Sequence, residues 1–297
     1  MNVIIETHHL SKSYGPIDAV RDLCLAVPRG KISAFLGPNG HGKSTTIKML
    51  LGMTRPTGGT GQVLGFDITD PRASLEIRRR TAFVSEDKHL YGYMTVKQVI
   101  AFTRGLFPQW QTDREKELLG AFDLPLNRKV KQLSKGMRTK LALILALARG
   151  AELLILDEPS EGLDPVVAES MLQSVVRAAA DGVSVFFSSH QLSEAERIAD
   201  HVFILKHGHI VVEGPLDELR ERYRRVNAVF VGQPPLDGLP MQSLANVQTE
   251  GHVLSALTKD NSEAVATKFR ELGAVSVDVC SVNLRELFLE TVQELAT

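Results

Sequence analysis

The fold of this chain is decided by the stretch Gly37-Pro38-Asn39-Gly40-His41-Gly42-Lys43-Ser44-Thr45. It follows an apolar segment, Ile32–Leu36, which is predicted to be a strand, and it precedes a predicted helix that begins near Ser44. This is the order of a phosphate-binding loop: glycines turn backbone N–H groups inward, Lys43 adds a positive charge and the Ser44 hydroxyl can bind Mg²⁺. We therefore predict that all nine residues contribute to a nucleotide site, His41 as a backbone spacer.

The composition describes an ordinary globular protein. Of its 297 residues, 43% are hydrophobic and 23% are charged, which is enough for a well-buried core in one large domain with a small appendage. The 34 Lys and Arg residues balance 35 Asp and Glu residues, so that the net charge is -1. No bulk field attracts nucleic acid or anionic lipid, and no nucleic acid partner is expected.

Cysteine usage and hydropathy bear on the compartment. Cys24 and Cys280 lie far apart in apolar, strand-like segments, so we predict reduced core thiols rather than a disulfide or a metal site. The N-terminal residues lack the pattern of a secretory signal. The longest apolar run, Leu141–Ala148, is far shorter than the roughly 20 residues of a membrane-spanning helix. These features favour a cytoplasmic protein that would need a separate chain for any membrane process.

Strand and helix patterns alternate along most of the chain, which indicates a mainly parallel sheet covered by helices. The predicted strands are Val3–His8, Val20–Val27, Lys31–Leu36, Gln62–Leu64, Ala82–Val84, Leu153–Leu156, Ser184–Ser188, His201–Leu205 and His209–Glu213. The predicted helices between them are Thr45–Leu51, Arg72–Thr81, Val166–Asp181 and Leu192–Ala199.

Two segments depart from this alternation. Residues Thr95–Arg149 have the apolar period of an almost continuous helix, which predicts a helical subdomain inserted at about residues 90–150. A charge cluster, Arg220–Arg225, predicts a domain boundary near residue 222. The remainder, residues 223–297, is predicted to be a small α+β appendage with strands near Ala228–Gly232, Val253–Leu257 and Val275–Val279 and helices Ser262–Leu272 and Leu284–Leu295.

Two carboxylates follow the apolar strand Leu153–Leu156. Asp157 and Glu158 would lie at the carboxyl edge of the sheet, beside the phosphate-binding loop. Asp157 is then placed to hold Mg²⁺, and Glu158 to polarise the water that attacks a γ-phosphate. The alternative is that this acidic pair only caps the turn before Pro159.

A second candidate anion site precedes the apolar helix Leu141–Arg149. Ser134 is a natural N-cap residue, and capping alone would explain it. The free N–H groups at this helix start, with the Ser134 hydroxyl and Gly136, can also bind a phosphate. Two separated phosphate sites are what a nucleotide site shared between two protomers requires.

These ordered motifs resemble those of the ATP-binding cassette (ABC) family, over about residues 3–222. The resemblance implies a P-loop NTPase fold of the α/β class, with a mainly parallel sheet, an antiparallel β subdomain and the inserted helical subdomain. It also implies these roles: Tyr14 stacks on adenine, Ser134, Lys135, Gly136 and Met137 form the signature that meets ATP of a second protomer, Asp164 belongs to the D-loop, and His190 contacts the γ-phosphate and holds Glu158.

Four positions, in three motifs, depart from the usual family pattern. Glu86 stands where many members have the Gln that reaches Mg²⁺, so Ser44, Glu86 and Asp157 would form the metal set. Lys135 and Met137 replace a Gly and the Gln of the signature, and Glu161 stands where Ser is common. These variants resemble the bacterial ABC-2 exporter branch.

The resemblance therefore implies an ATP-binding and ATP-hydrolysing subunit with ATP and Mg²⁺ as cofactors. Its implied partners are a second ABC ATPase protomer, in a homodimer or heterodimer, and an integral membrane permease on a separate chain. The protein would then lie on the cytoplasmic face of the membrane. A soluble ABC ATPase that acts on ribosomes or DNA is the alternative, but this chain has neither a long coiled-coil insertion nor two cassettes. A P-loop GTPase or kinase would leave Leu133–Met137 and His190 unexplained.

Overall fold

The computed structural model describes residues 2–236, 239 and 244–293. Its contacts divide the chain into two compact units, Met1–Glu213 and Gly214–Thr297. This division falls nine residues before the predicted end of the first domain at residue 222. The charged segment that suggested residue 222 is instead continuous with the second unit, because a helix, Leu216–Arg222, runs directly into the first strand of that unit and packs on it.

The first unit contains ten strands and seven helices within the part of the chain that the structure describes. In chain order they are β1 (Val3–Tyr14), β2 (Ile17–Pro28), β3 (Ile32–Leu36), α1 (Lys43–Leu50), β4 (Gly58–Val63), β5 (Phe66–Asp67), α2 (Pro71–Arg80), β6 (Thr81–Val84), α3 (Val96–Leu106), α4 (Thr112–Phe122), α5 (Lys135–Leu147), β7 (Leu153–Asp157), α6 (Pro165–Ala180), β8 (Ser184–Ser189), α7 (Leu192–Ile198), β9 (His201–Lys206) and β10 (His209–Pro215).

The central sheet has six strands in the order β10-β9-β3-β8-β7-β6, and the pairs from β9 to β6 are parallel. All five residues of β3 and of β7 are buried, as expected for strands covered on both faces. In register, Leu36 at the end of β3 lies beside Ser189 of β8, and Ser188 lies beside Asp157 at the end of β7. The phosphate-binding loop and the acidic pair therefore leave the same edge of the sheet, and the predicted mainly parallel sheet is confirmed.

A second sheet, β2-β1-β4-β5, is antiparallel and corresponds to the predicted antiparallel β subdomain. Its inward side chains share one apolar core with the central sheet, in which Leu23 and Val63 join Phe35, Phe186 and Phe203. The Phe35 and Phe186 rings lie 5.2 Å apart, centroid to centroid. This core fixes the position of β3 and, with it, the start of the phosphate-binding loop.

The inserted segment forms three helices, α3, α4 and α5, so the prediction of an almost continuous helix over Thr95–Arg149 is wrong in its detail. The breaks contain Pro108 and Pro125, and a proline disfavours helical geometry in the residue before it. Asp123 ends α4 in the left-handed conformation, with φ of 46°. Apolar period alone does not reveal such breaks, because the flanking helices keep the same spacing.

The second unit is an α+β structure, as predicted. Its elements are α8 (Leu216–Arg222), β11 (Tyr223–Val229), β12 (Leu244–Glu250), β13 (Val253–Lys259), α9 (Ser262–Glu271), β14 (Ser276–Ser281) and α10 (Leu284–Gln293). The sheet order is β12-β13-β11-β14, and Phe269 of α9 packs into the apolar core with Val226 and Leu254. Strand β12 was not predicted from the sequence. The predicted end of the last helix, at Leu295, lies outside the described residues.

Both cysteines are free but exposed, so the prediction of core thiols is wrong for their placement. Cys24 lies between the buried residues Leu23 and Leu25, and alternation along β2 turns its side chain to the opposite, exposed face. Cys280 lies on the outer side of β14 in the same way. Among the described helices, none combines the length and the apolar character that crossing a membrane requires.

Candidate nucleotide site

The phosphate-binding loop is a tight turn between β3 and α1, and α1 begins at Lys43, one residue before the predicted start near Ser44. Gly42 has φ of 104°, and a Cβ at this position would lie 2.2 Å from the Ala19 carbonyl oxygen of β2. Only glycine fits both this backbone conformation and this close approach. The loop is therefore held against β2, with the N-terminal end of α1 facing outward from the sheet edge.

Lys43 is the cation at the bottom of this turn and is only 5% exposed. Its Nζ donates to the carbonyl oxygen of Gly37 at 2.7 Å and to that of Pro38 at 3.3 Å. It also lies 3.3 Å from Oε1 of Glu158, within ion-pair distance. Because neither carbonyl is charged, an incoming phosphate oxygen would compete strongly for this ammonium group.

The acidic pair is held by Ser188, a residue for which the sequence predicted no role. The Ser188 hydroxyl donates to Oδ1 of Asp157 at 2.6 Å and accepts a hydrogen bond from the Glu158 N–H at 3.1 Å. Glu158 leaves the strand with φ of 47°, in the left-handed region. The two carboxylates are therefore turned apart, as expected for different roles. Ser188 could have been found from its place one strand away from Asp157, at the same edge.

His190 and Glu158 are in direct contact, which agrees with the predicted pairing. Nδ1 of His190 lies 2.8 Å from Oε2 of Glu158, and the His190 backbone N–H donates to the same oxygen at 3.2 Å. Glu158 is 5% exposed, whereas the His190 side chain is 44% exposed. One carboxylate thus lies between a buried ammonium group and a histidine that faces the solvent.

Lys43 and Glu158 line a cleft of about 310 Å³ at the carboxyl edge of the sheet, whereas Asp157, Ser188 and His190 are not among its lining residues. It is lined by Ala19, Asn39, Gly40, Gly42, Lys43, Ser44, Thr45, Glu86 and Glu158. The structure therefore brings together most of the phosphate loop, the predicted base and Glu86. Gly37 and Pro38 contribute through their carbonyl contacts with Lys43. The His41 ring instead stacks on His207, with centroids 4.6 Å apart, so it has a contact of its own beyond the predicted spacer role.

Sequence and structure comparisons identify the family. The sequence profile of the ABC transporter family matches residues 20–161. An uncharacterized ABC transporter ATP-binding protein of Nostoc sp. is 33% identical over 290 residues, which cover 94% of this chain and 84% of that protein. The chain belongs to the family of ABC transporter ATP-binding proteins.

Two further comparisons agree with this assignment. The bacitracin transport ATP-binding protein BcrA of Bacillus licheniformis is 36% identical over 229 residues, covering 76% of this chain and 74% of that protein. A solved ATP-binding subunit of an ABC transporter superposes with a TM-score of 0.67 at 31% identity, covering 73% of this chain and 92% of that one. The chain is therefore the ATP-binding subunit of an ABC transporter, and the ribosome or DNA alternative has no support from these comparisons.

The predicted signature residues lie at the start of α5. The Ser134 side chain accepts a hydrogen bond from the Met137 N–H at 3.2 Å, so Ser134 is an N-cap, which was the simpler of its two interpretations. Gly136 lies close to Leu163, at 3.8 Å from a Cβ built on the glycine. None of Ser134, Lys135, Gly136 and Met137 is among the residues that line the cleft of their own chain. Their predicted role is toward the ATP of a second protomer.

Tyr14 and Asp164 have local roles in the described structure. Tyr14 ends β1 at the tip of the β1–β2 hairpin, is 49% exposed and carries the Lys12 ammonium 4.9 Å from its ring centroid. It does not line the cleft, although β2 of the same hairpin reaches the cleft at Ala19. Asp164 caps α6 by accepting from the N–H groups of Val166 and Val167, each at 3.1 Å. Stacking on adenine and the D-loop role stay predictions.

Glu86 has the chemistry of a metal ligand and an unusual environment. Ser44 and Glu86 offer oxygen donors to the same cleft, and oxygen donors are what Mg²⁺ prefers. The pKa of Glu86 is raised, first by burial and then by the charge of Glu161, a hydrogen bond to Glu161 and the charge of Asp157. Within the described ranges, no three His, Cys, Asp or Glu side chains converge on a metal site. A Mg²⁺ ion held by two or three of these oxygens and by phosphates fits this donor set.

Proposed function

We propose that this subunit hydrolyses ATP in a Mg²⁺-dependent reaction with Glu158 as the general base. The observation that carries the proposal is the position of the Glu158 carboxylate, which lines the cleft between Lys43 and His190. Lys43 binds the phosphates and contacts one oxygen of Glu158. Glu158 takes a proton from the attacking water, and His190 holds the carboxylate through its ring and its backbone N–H.

Mg²⁺ would be held by Ser44, Glu86 and Asp157, and it would supply charge neutralisation at the β- and γ-phosphates. Asp157 is 4% exposed and is oriented by its hydrogen bond from Ser188. Its carboxylate is therefore positioned to bind a metal ion, either directly or through a water molecule. The Ser44 hydroxyl lies at the start of α1, where the helix dipole favours phosphate.

We also propose that two protomers close around ATP. The supporting observation is that the cleft contains one set of phosphate donors, whereas Ser134 and Gly136 are exposed or half-buried at a separate helix start. ATP that meets both sets only in the closed pair binds that state more tightly, which is the differential affinity of a ligand-driven switch. Loss of the γ-phosphate removes this preference.

The proposed membrane partner docks on the surface after β6. A groove of about 140 Å³ between this segment and α3 and α5 is lined by Phe83, Leu90, Phe107, Leu145 and Arg149 among others. Tyr91 and Tyr93, which are 51% and 68% exposed, lie in the same segment. Exposed aromatic side chains beside an apolar groove are typical of a protein interface. Because Glu86 precedes this segment, docking and the ATP cleft are linked by a few residues of backbone.

The direction of transport is proposed to be export. It rests on the signature variant Leu133–Met137, on Glu86 and on the similarity to a relative that is named for bacitracin transport. Recovery of a membrane permease with this subunit would support transport. Recovery of ribosomes or DNA without a permease would contradict it.

The test of hydrolysis is Glu158→Gln, which keeps the size of the side chain and removes the base. We expect ATP binding to persist and the hydrolysis rate to fall by at least about a hundredfold, the contribution of a general base. Closed dimers should accumulate with ATP, as measured by size-exclusion chromatography. The matched control is Glu152→Gln, the same change next to the opposite end of β7, which should leave the rate within about twofold of the unmodified chain because surface ion pairs contribute little. Full hydrolysis by Glu158→Gln would remove the base assignment.

A further inference from the structure

A buried carboxylate near the contact between Glu158 and His190 has no part in the proposed reaction so far. Glu194 lies in the first turn of α7 and is buried. An acidic residue there interacts favourably with the helix dipole whichever way its side chain points. The Glu194 side chain is turned inward, where burial raises its pKa. Removal of a carboxylate from water costs free energy, so a purely local role at the helix start does not explain this placement.

Two serine hydroxyl groups hold this carboxylate. Oε2 of Glu194 accepts a hydrogen bond from the Ser160 hydroxyl at 2.9 Å and one from the Ser189 hydroxyl at 3.3 Å. Both serines are buried. Ser160 lies in the loop after β7, and Ser189 is the last residue of β8. One oxygen of Glu194 therefore joins three elements, namely the loop after β7, the end of β8 and the start of α7.

The same two serines flank the contact between the proposed base and its histidine. Ser160 follows Glu158 by two residues, and Ser189 directly precedes His190. The His190 ring and backbone N–H both contact Oε2 of Glu158, at 2.8 and 3.2 Å. The left-handed backbone of Glu158, with φ of 47°, is a conformation that its surroundings must maintain. Glu194 thus holds a side chain on each of the two segments that bring Glu158 and His190 together.

We propose that Glu194 is a positioning residue that keeps Glu158 and His190 in contact by holding Ser160 and Ser189. The inference rests on the proposed hydrolysis with Glu158 as general base. Glu194 is not among the residues that line the ATP cleft, so its loss leaves the phosphate contacts of Lys43 in place. Without the Glu194 carboxylate, the loop after β7 and the end of β8 lose their common partner. The base is then misplaced, and the hydrolytic step slows more than ATP binding weakens.

The test is Glu194→Ala on the full chain, with Glu194→Gln as the conservative variant. We expect kcat to fall by about tenfold in Glu194→Ala, with KM for ATP within about twofold, because a small misplacement of a reacting group mainly slows the chemical step. Glu194→Gln should recover most of this loss, since its amide oxygen still accepts from both hydroxyl groups. Rescue by an uncharged acceptor separates positioning from an effect of negative charge on His190.

A second readout does not depend on turnover. The ring resonance of His190 in the NMR spectrum of the nucleotide-free chain, assigned by its absence in His190→Ala, reports the contact with Glu158. Glu194→Ala should shift this resonance toward its position in Glu158→Gln, whereas Glu194→Gln should leave it in place. A role of Glu194 in stability alone would lower the free energy of unfolding without moving the His190 resonance.

Glu169→Ala is the matched control, because it loosens α7 without removing a contact of either serine. Glu169 of α6 accepts a hydrogen bond from Arg197 of α7 at 2.6 Å, and both side chains are exposed. We expect kcat within about twofold of the unmodified chain, since surface ion pairs contribute little, and an unchanged His190 resonance. If Glu194→Ala does not fold, Ser160→Ala removes the shorter of the two contacts. That variant must then lower kcat by about threefold, the scale of one hydrogen bond, and shift the His190 resonance in the same direction.

Three results would overturn the positioning role and leave the ATPase proposal intact: an unchanged kcat or His190 resonance in Glu194→Ala, an equal loss of kcat in Glu169→Ala, or no rescue by Glu194→Gln. Absence of hydrolysis by the unmodified chain would overturn the ATPase proposal. The His190 resonance would then still decide whether Glu194 holds His190 against Glu158.

Discussion

The two edges of the central sheet use the same strands for different purposes. At the amino edge, polar side chains bind the backbone or each other. The Ser184 hydroxyl accepts from the Gly30 N–H at 2.8 Å, and the Arg80 guanidinium binds both oxygens of Glu152 at 2.6 and 2.8 Å. At the carboxyl edge, Lys43 and Glu158 are buried beside a cleft. The polar groups at the amino edge are paired with one another or with the backbone, whereas the carboxyl edge presents charged groups to a ligand.

The difference lies in the distribution of charge rather than in the number of polar groups. Arg80 and Glu152 neutralise each other in a bidentate pair that is more than a third exposed. Lys43 is shared between two uncharged carbonyls and one carboxylate that also contacts His190. A site that must bind phosphate needs a cation whose partners can be exchanged, and the carboxyl edge has one.

Of the substitutions that compare the two edges, Lys43→Ala should have the largest effect, and this effect is on ATP affinity. We expect ATP affinity to fall by about a hundredfold, since a hydrogen bond to a charged group contributes up to ~3 kcal/mol. Fluorescence titration with a labelled ATP analogue measures this loss, and circular dichroism checks the fold. Lys31→Ala is the matched control, because Lys31 lies 4.0 Å from Asp200 at the amino edge and is exposed. Equal losses in both variants would contradict the division between the edges.

Two serines at opposite ends of β8 allow the two edges to be compared within one strand, and the expected effects are of intermediate size. Ser188→Ala removes the donor to Asp157 and the acceptor of the Glu158 N–H, whereas Ser184→Ala removes a structural contact with Gly30. Both variants should lose about 1–3 kcal/mol in free energy of unfolding, the cost of an unpaired buried group. Only Ser188→Ala should also lower the hydrolysis rate, by about tenfold, through misplacement of the acidic pair.

Chemical denaturation and steady-state kinetics on the same two samples provide the comparison. A Ser184→Ala variant that loses hydrolysis as strongly as Ser188→Ala would show that the two ends of β8 do not differ in function. The similar expected loss of stability makes each variant the control for the other.

Sequence reasoning reached the parts of the molecule that depend on local pattern. The phosphate loop, Asp157 and Glu158 were predictable because charged or glycine-rich residues directly after a buried strand are typical of a ligand site at the sheet edge. The helix breaks near Pro108 and Pro125, strand β12 and the exposure of Cys24 were missed or wrong. The exposure of Cys24 depends on which face of β2 meets the core, and that is decided by distant residues.

The candidate site was predictable in its members but not in its connections. The sequence indicated that His190 and Glu158 belong together. It did not indicate that Ser188 joins Asp157 to the Glu158 backbone, or that Glu86, Lys135 and Glu161 meet. Those links cross between strands or between subdomains, and sequence spacing carries no information about them. Glu86, Lys135 and Glu161 were visible one at a time, and only the fold shows that they line one cleft.

Glu152→Gln should have the smallest effect of these variants on the free energy of unfolding. The pH dependence of that effect tests whether the charge of Glu152 stabilises the amino edge. The pKa of Glu152 is lowered from its ordinary value of 4.5, first by the hydrogen bond from Arg80. A carboxylate with a lowered pKa in the folded state adds stability that is complete above pH 4.5 and is lost as the pH falls through the folded-state pKa. The unmodified chain should therefore be more stable than Glu152→Gln at pH 7, and the two unfolding free energies should converge in acid. Thermal or urea unfolding across this pH range measures the difference. If the difference in free energy of unfolding persists in acid, Glu152 stabilises the amino edge by packing. The charge pair of Arg80 and Glu152 would then not be what stabilises this edge of the sheet.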